Sequence, residues 1–264
     1  MVGSFIDVTD SLRKEQEIAE LNNNLEEALK SEKQALRLMK EFMERIRLEV
    51  RHPLNTITTL SYIDRDSEDV IRLREDMKKI NASGYYLTKM INDLLDIHSL
   101  KRDKMKLELE EIQLSEILYG IDAIAKNMAQ KKRVNYGMIR EYAEDICVEC
   151  DPGRVQQMIL NIVSNAIRFT DPDGKVTIIV RTELYRKKQK ITFIVEDDGC
   201  GIGAAFMPKV FEPMTQEKRN PNKYGKGSGL GLTVARDLAR LMHGDIMVDS
   251  EEDLGSKFTV YIVL

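Results

Sequence analysis

The sequence predicts an α+β protein in which two long helices precede a layer of strands and shorter helices. Apolar residues recur at alternating steps of three and four along the first fifty residues, which is typical of a coiled-coil helix. A second helical pattern runs from about Val70 to Leu100. Beyond Lys104, short alternating apolar runs indicate strands, largely antiparallel, and amphipathic stretches indicate helices on one face of a sheet.

Composition excludes several classes of protein. The 264 residues include 40 basic and 44 acidic side chains, and the net charge of −4 argues against nucleic-acid binding. Cys147 and Cys150 lie in a strand-like I-C-V-E-C run without a second pair, which argues against a metal or redox site. The scarcity of cysteine fits a reducing cytoplasm. No apolar run is long enough to cross a bilayer and no signal peptide is visible, so we expect any membrane anchor to lie outside this chain.

The first fifty residues predict a dimer. Gly3 to Asp10 has the pattern of a strand that ends at a helix cap, Thr9 or Asp10, as at the end of an upstream domain. A helix is expected from Ser11 to about Leu60, with Pro53 weakening or kinking it. Its other faces are densely charged, which favours pairing with a second copy over packing on a globular domain. The apolar seam, interrupted by Glu32, comprises Ile18, Leu21, Leu25, Ala28, Ala35, Met39, Phe42 and Ile46.

A polar break at Asp64 to Asp69 separates this helix from the second one. Two helices joined by a short turn form a hairpin, and two hairpins form a dimeric four-helix bundle. After the hairpin, strands are expected at residues 106–110, 134–139, 146–150, 176–184, 191–195, 244–249 and 257–263, and helices at 115–130 and 151–169 and after the second of two glycine-rich loops.

Two glycine-rich loops indicate a nucleotide pocket. The first is V-E-D-D-G-C-G-I-G (Val195 to Gly203), and the second is G-K-G-S-G-L-G-L (Gly225 to Leu232). The second leads into an amphipathic helix that we expect to end at a Gly244 cap, and such a loop presents free N–H groups that suit phosphate. Asp197 ends a strand, where its carboxylate can accept from an amino group such as that of adenine. The alternative is a pair of tight turns.

The helix at residues 151–169 carries a third signal. Val155, Ile159, Ile162 and Ala166 form its expected buried face. Asn161 and Asn165 share another face, with Arg168 three residues on, although asparagine is a poor residue for a helix interior. An amide oxygen suits Mg²⁺, which completes its shell with water and phosphate oxygens. Two exposed surface asparagines are the alternative.

These motifs together resemble the catalytic core of a sensor histidine kinase of two-component signalling. N-I-V-S-N-A-I-R-F-T resembles the N box of that family, and V-E-D-D-G-C-G-I and G-S-G-L-G-L-T-V its two glycine boxes. K-V-F-E-P-M-T-Q resembles the F box, and L-G-S-K-F-T-V the last box. The resemblance implies an α/β sandwich that binds ATP at residues 103–264, a dimerisation and phosphoacceptor hairpin at 46–102, a signalling coiled coil at 11–45, and the end of a PAS-like sensor domain at 1–10.

The resemblance also implies roles for individual residues. Asn165 stands at the position of the Mg²⁺ ligand with Asn161 supporting it, Arg168 at that of a phosphate-binding lysine, and Asp197 at that of the adenine reader. Residues 207–226 correspond to a mobile lid over ATP. A homodimer, an upstream sensor domain and the receiver domain of a response regulator are the implied partners. The loop positions that resemble the nucleotide-binding ones are Gly199, Gly201, Gly227, Gly229, Leu230 and Gly231.

The phosphoacceptor box departs from the family. The segment Leu48-Glu49-Val50-Arg51-His52-Pro53-Leu54 aligns with H-E-x-R-T-P-L, so Leu48 replaces the nucleophilic histidine. Leucine has no lone pair to accept a phosphoryl group, whereas the imidazole of a histidine has one. Glu49 would orient or deprotonate such an imidazole. His52 lies one turn further, about 6 Å along the axis.

Three hypotheses therefore remain. The chain is a kinase that uses His52 or a histidine of a partner, an ATP-binding pseudokinase that signals by conformation or heterodimerisation, or an ATPase of the wider gyrase, mismatch-repair and chaperone superfamily. The F box and the paired helices argue against the third. Because phosphoryl transfer depends strictly on geometry, the departures at Leu48 and His52 favour lost autophosphorylation.

Overall fold

A computed structural model describes residues 9–101, 105–142, 146–217 and 227–264. The chain divides into two compact units, Met1–Ile80 and Asn81–Leu264. The expected strand at residues 3–8 and the last nine residues of the expected lid, 218–226, lie outside the described residues.

The first unit is built from long helices, as expected. Helix α1 is Thr9–Ile63, and a 3-10 turn at Asp64–Asp66 follows it. Helix α2 is Val70–Lys101 and continues from the first unit into the second. The Oδ1 of Asp69 accepts from the backbone N–H groups of Ile71 and Arg72, each at 3.1 Å, and so caps the first turn of α2.

Helix α1 presents its apolar seam to solvent. Ile18, Leu21, Leu25 and Met39 are all exposed, whereas Pro53, inside the helix, is buried. Among the described residues, no helix is both long enough and apolar enough to cross a membrane.

The second unit contains a five-stranded sheet in the order β2-β4-β5-β7-β6. Strands β2 and β4 pair in parallel, and the other three pairings are antiparallel, which confirms the mixed, largely antiparallel sheet. The strands are β2 Asn135–Glu141, β4 Lys175–Tyr185, β5 Lys188–Asp197, β6 Asp245–Glu251 and β7 Gly255–Val263.

One prediction about the strands is wrong. Residues 105–109 carry no strand; β1 is Glu110–Gln113 and pairs with β3, Cys147–Cys150, in a separate two-stranded sheet. The backbone N–H of Glu108 donates to the Oδ2 of Asp151 at 3.1 Å. This backbone group therefore bonds to a side chain and not to a neighbouring strand, although the apolar residues around it alternate as in a strand.

In the described part of the second unit, three helices cover one face of the large sheet. They are α3 Leu114–Lys132, α4 Pro152–Phe169 and α5 Gly231–Leu241, and α4 contacts both of the others. Ile178, Phe193 and Val260 of the central strands are fully buried on the helix side. Burial of this apolar area is the main source of stability for the unit, and it places α4 at the centre of the layer.

The end of α5 differs from the expected glycine cap. His243 adopts the left-handed conformation with φ 57°, and its N–H donates to the carbonyl of Arg240 at 3.1 Å. Gly244 follows it and completes the cap, because its N–H donates to the carbonyl of Ala239 at 2.8 Å. A Cβ at Gly244 would lie 1.7 Å from the carbonyl oxygen of Tyr261, so the glycine also allows close backbone approach.

Candidate nucleotide site

Helix α4 begins at a well-formed cap. Asp151 is its N-cap, and its Oδ1 accepts from the N–H of Arg154 at 3.0 Å, with Pro152 in the first turn. Val155, Ile159 and Ile162 are buried, which confirms the predicted apolar face. These contacts fix the rotation of α4 and so direct its asparagines.

Asn161 is not a surface residue. Its side chain is only 5% exposed, and its Nδ2 has no hydrogen-bond acceptor among the described residues. A Cβ on Gly231 would lie 3.4 Å from the Asn161 amide, so α5 begins directly against it. A buried amide without an acceptor is costly, and an incoming polar ligand or water would relieve that cost.

Asn165 lies one turn beyond Asn161 and contacts Arg168. The Nη2 of Arg168 donates to the Oδ1 of Asn165 at 2.9 Å. The guanidinium carbon lies 4.5 Å from the centroid of the Phe169 ring, and the Nε has no acceptor among the described residues. Burial lowers the pKa of Arg168 from its ordinary value, an effect that the hydroxyl of Tyr86 partly opposes.

The second glycine loop packs against this arginine. A Cβ on Gly227 would lie 2.1 Å from the Nη1 of Arg168, so a larger residue there would require the guanidinium to move. Gly229 has φ 69°, and its carbonyl accepts from the N–H of Met214 at 2.8 Å. The loop ends at Leu230, which is fully buried and precedes the first turn of α5.

The first glycine loop contacts the last residue of α4, next to Arg168. The N–H of Cys200 donates to the carbonyl of Phe169 at 3.2 Å, and a Cβ on Gly199 would lie 2.6 Å from that oxygen. Gly201 has φ 62°, and a Cβ there would lie 1.9 Å from the carbonyl of Glu251. The loop is therefore held by backbone contacts that only glycine permits.

Asp197 is the last residue of β5 and is largely buried. Its Oδ1 accepts from the N–H of Gly199 at 3.0 Å. Burial raises the pKa of Asp197 to about 6, although hydrogen bonds from the backbone N–H groups of Gly199 and Ser256 lower it. The carboxylate is held by the glycine loop and titrates close to neutral pH.

The structure thus places both glycine loops, Arg168 and the two asparagines on or beside α4. Asp197 is linked to the same helix through Gly199. The structure adds one residue that sequence reasoning missed, Thr170, which is fully buried and whose Oγ1 has no partner in the described part of the chain. Thr170 follows α4 directly, and its place at the end of the N-I-V-S-N-A-I-R-F-T run was the available signal.

The residues of the acceptor box lie on α1, in the first unit. Leu48 is 59% exposed, and His52 is also exposed. The carbonyl of His52 accepts from the hydroxyl of Thr56 at 3.2 Å. Glu49 is half-buried. An apolar side chain therefore stands on the surface where the resemblance expects a nucleophile.

The side chains at this site could hold Mg²⁺ only if a bound phosphate supplied further oxygen ligands. No cluster of three or more histidine, cysteine or acidic side chains that could hold a metal occurs among the described residues. The amide oxygen of Asn165 is a hard ligand of the kind that Mg²⁺ accepts alongside phosphate oxygens and water.

Comparison with known proteins shows the family of the chain. Residues 150–264 match the family described as "Histidine kinase-, DNA gyrase B-, and HSP90-like ATPase". The aerobic respiration control sensor protein ArcB of Escherichia coli (strain K12) is 34% identical over 222 residues, which are 84% of this chain and 28% of ArcB. The chain thus spans 28% of the length of that relative.

Two solved structures show the same fold. ShkA in complex with AMPPNP is 21% identical with a TM-score of 0.61, over 83% of this chain and 45% of that one. Histidine kinase ThkA in complex with response regulator protein TrrA is 23% identical with a TM-score of 0.61, over 88% of this chain and 63% of that one.

The matched domain and the fold define an ATPase domain of the histidine kinase, gyrase and HSP90 type at residues 150–264. The chain belongs to the sensor histidine kinases.

Proposed function

We propose that this chain binds Mg-ATP in its second unit and takes part in two-component phosphorelay signalling without a phosphoacceptor at residue 48. The observation that carries the proposal is that both glycine loops contact the C-terminal half of α4, which carries the asparagines. Gly231 lies against Asn161, Gly227 against Arg168, and Gly199 against the end of the helix. Unpartnered buried polar atoms at Asn161 and Thr170 mark the same helix.

Each residue has a distinct proposed role in binding. The carboxylate of Asp197 accepts from the adenine amino group, and the N–H groups of the second glycine loop and the start of α5 face phosphate. Arg168 contributes positive charge, with a forked head in place of an ammonium. Asn165, supported by Asn161, offers the amide oxygen for Mg²⁺, which would neutralise charge on the phosphates when bound.

The acceptor site limits the chemistry. The side chain of Leu48 has no atom that can form a bond to phosphorus, so Glu49 has no nucleophilic imidazole to orient or deprotonate at that position. We therefore propose that autophosphorylation at residue 48 is lost and that the chain signals as an ATP-binding pseudokinase through conformation or heterodimerisation. A second candidate is transfer to His52, which its exposure and its place one turn from Leu48 favour.

Exposed apolar residues support a parallel homodimer. Leu21, Leu25, Leu36 and Met39 of α1 all lie at the surface, and an apolar stripe of this length is costly in water. Pairing with a second copy along the coiled coil at 11–45 and the hairpin at 46–102 would bury it. We also propose an upstream sensor domain, of which residues 1–10 are the end, and the receiver domain of a response regulator as partners.

The matched family supports an ATP-binding domain, which we propose extends over residues 103–264. The net charge of −4 is the reason that we propose no nucleic-acid partner. Cys147 and Cys150 form no disulfide bond, and with three cysteines in the chain we propose a reducing, cytoplasmic setting.

A thermal-shift titration tests the proposal. Mg-ATP should raise the melting temperature of the chain, because a ligand that binds only the folded state stabilises it. Asp197→Asn should reduce the shift, whereas Asp198→Asn, at the exposed neighbouring carboxylate, should retain most of it. Absence of a shift with any adenine nucleotide at millimolar concentration would refute the proposal.

A further inference from the structure

The C-terminal part of α2 carries an unusual buried carboxylate. Within the second unit, Met90, Asp93 and Ile97 share one face of α2 at helical spacing, and all three are buried. Asp93 is only 3% exposed, and its Oδ2 has no hydrogen-bond partner among the described residues. An acidic side chain this deeply buried requires a physical explanation.

Asp93 contacts the second glycine loop. It forms a side-chain hydrogen bond with Ser228, which lies between Gly227 and Gly229. The Oγ of Ser228 also accepts from the N–H of Leu230 at 3.3 Å, directly before α5 begins. The carboxylate therefore lies beside the loop and helix start to which we assign phosphate.

A second acidic residue fixes the same part of α2 to α4. The Oδ1 of Asp96 accepts from Nη1 of Arg154 at 2.9 Å, and its Oδ2 accepts from Nε2 of Gln157 at 2.6 Å. Asp96 is buried and the Arg154 side chain is one-third exposed. These contacts lie in the first two turns of α4, before Asn161.

The docked helix carries an energetic cost. Burial raises the pKa of Asp93 to about 6, and the charge of Asp96 raises it further, while the charge of Lys89 and the hydrogen bond with Ser228 lower it. Burial of the charged Asp93 carboxylate costs free energy, and this cost weakens the packing of residues 90–97 against the second glycine loop.

We propose that Asp93 is an internal anion that occupies the phosphate end of the nucleotide site, so that docking of residues 90–97 and binding of ATP exclude each other. The inference rests on the proposed ATP binding. Two anions cannot share one loop in a low-dielectric site, so nucleotide must displace the helix or bind more weakly while the helix is docked. By linkage, any signal that moves α2 away from α4 raises affinity for ATP, and ATP favours release of α2.

Calorimetric titration of the full chain with Mg²⁺ and AMPPNP tests this. Asp96→Arg places a positive charge against Arg154 and should undock the helix, and we expect affinity to rise about fivefold or more. Asp93→Ala should produce a similar rise. The double variant Asp96→Arg/Arg154→Asp restores the ion pair and should return affinity to near the original value. Glu75→Arg controls for the change of net charge at an exposed position of the same helix.

Hydrogen exchange supplies an independent measurement. AMPPNP should accelerate exchange of the amides at residues 90–97 and leave those of α3 unchanged. Unaltered affinity in Asp96→Arg and Asp93→Ala, or slower exchange at 90–97, would overturn the inference while ATP binding stands. Weaker binding in Asp93→Ala would also overturn it. Failure of every variant and of the original chain to bind AMPPNP would instead refute the proposed function and the inference with it.

Discussion

The guanidinium of Arg168 donates from Nη2 to the Oδ1 of Asn165 at 2.9 Å, so the arginine occupies the amide oxygen that we assign to magnesium. Mg²⁺ would compete with the guanidinium for this oxygen, and Arg168 would then be available to contact phosphate. The hydrogen bond couples the positions of the two side chains. We therefore expect a substitution at either residue to change nucleotide affinity.

Asn165→Ala should remove the magnesium-dependent part of nucleotide affinity. In the original chain Mg²⁺ should strengthen AMPPNP binding, and the variant should lose about tenfold or more of that gain, because one ligand to a charged centre is deleted. Calorimetry with and without Mg²⁺ measures this. Asn127→Ala, at an exposed asparagine of α3, is the matched control. An equal magnesium dependence in both variants would assign the metal elsewhere.

Nucleotide affinity should depend on the ionisation of Asp197. Its pKa is about 6, so the carboxylate that accepts from adenine is present above that pH and protonated below it. Affinity for AMPPNP should fall as pH decreases from 7.5 to 5.5, and Asp197→Asn should abolish that component. Titrations of both proteins at several pH values give the comparison, and identical pH profiles would contradict the assignment.

The contribution of the Asp197 carboxyl to folding stability depends on pH in the opposite direction to its contribution to nucleotide affinity. Since its pKa is raised above the ordinary value of 3.8, folding favours the protonated form. The contribution of Asp197 to stability is therefore lost as pH rises from about 4 to 6.

Gly201→Ala should destabilise the second unit. Residue 201 has φ 62°, and a Cβ would lie 1.9 Å from the carbonyl of Glu251, so the first glycine loop would have to shift. We expect a loss of about 1–3 kcal/mol in the free energy of unfolding. Gly137→Ala is the control, because nothing lies within 4 Å of a Cβ there. Equal stability of the two variants by chemical denaturation would show that the loop is not constrained.

Much of the fold follows from the sequence. The period of the apolar residues predicts α1, α2 and α4 within a few residues, because each helix buries or presents a regular stripe. Two details need tertiary contacts. Gly244 belongs to the cap of α5, but only the backbone of Tyr261 shows why no side chain fits there. Asn161 has the signature of a surface residue but is buried against Gly231.

The site is predictable only in part for the same reason. The glycines and asparagines identify themselves by residue type and spacing. Asp93 and Thr170 do not, because an aspartate in a charged helix and a threonine after a helix are ordinary until burial shows them to be unusual.

Ile46→Asp should weaken self-association. The substitution places a charge in the seam of α1, where it would be buried against a second copy. Lys30→Asp makes a charge change at an exposed position off the seam and should have little effect. Light scattering over a range of concentrations measures the mass. A monomeric original chain at high concentration, or equal dimerisation of both variants, would refute the proposed homodimer.

Labelling with γ-phosphate from ATP tests the central claim most directly, since it compares the nucleotide site and the acceptor position in one assay. The original chain should retain no label at residue 48, and any acid-labile label should disappear in His52→Ala. Leu48→His restores an imidazole beside Glu49 and should create or strongly raise acid-labile label, since phosphohistidine is acid-labile. No label in Leu48→His despite measured ATP binding, or strong acid-stable label in the original chain, would contradict the account.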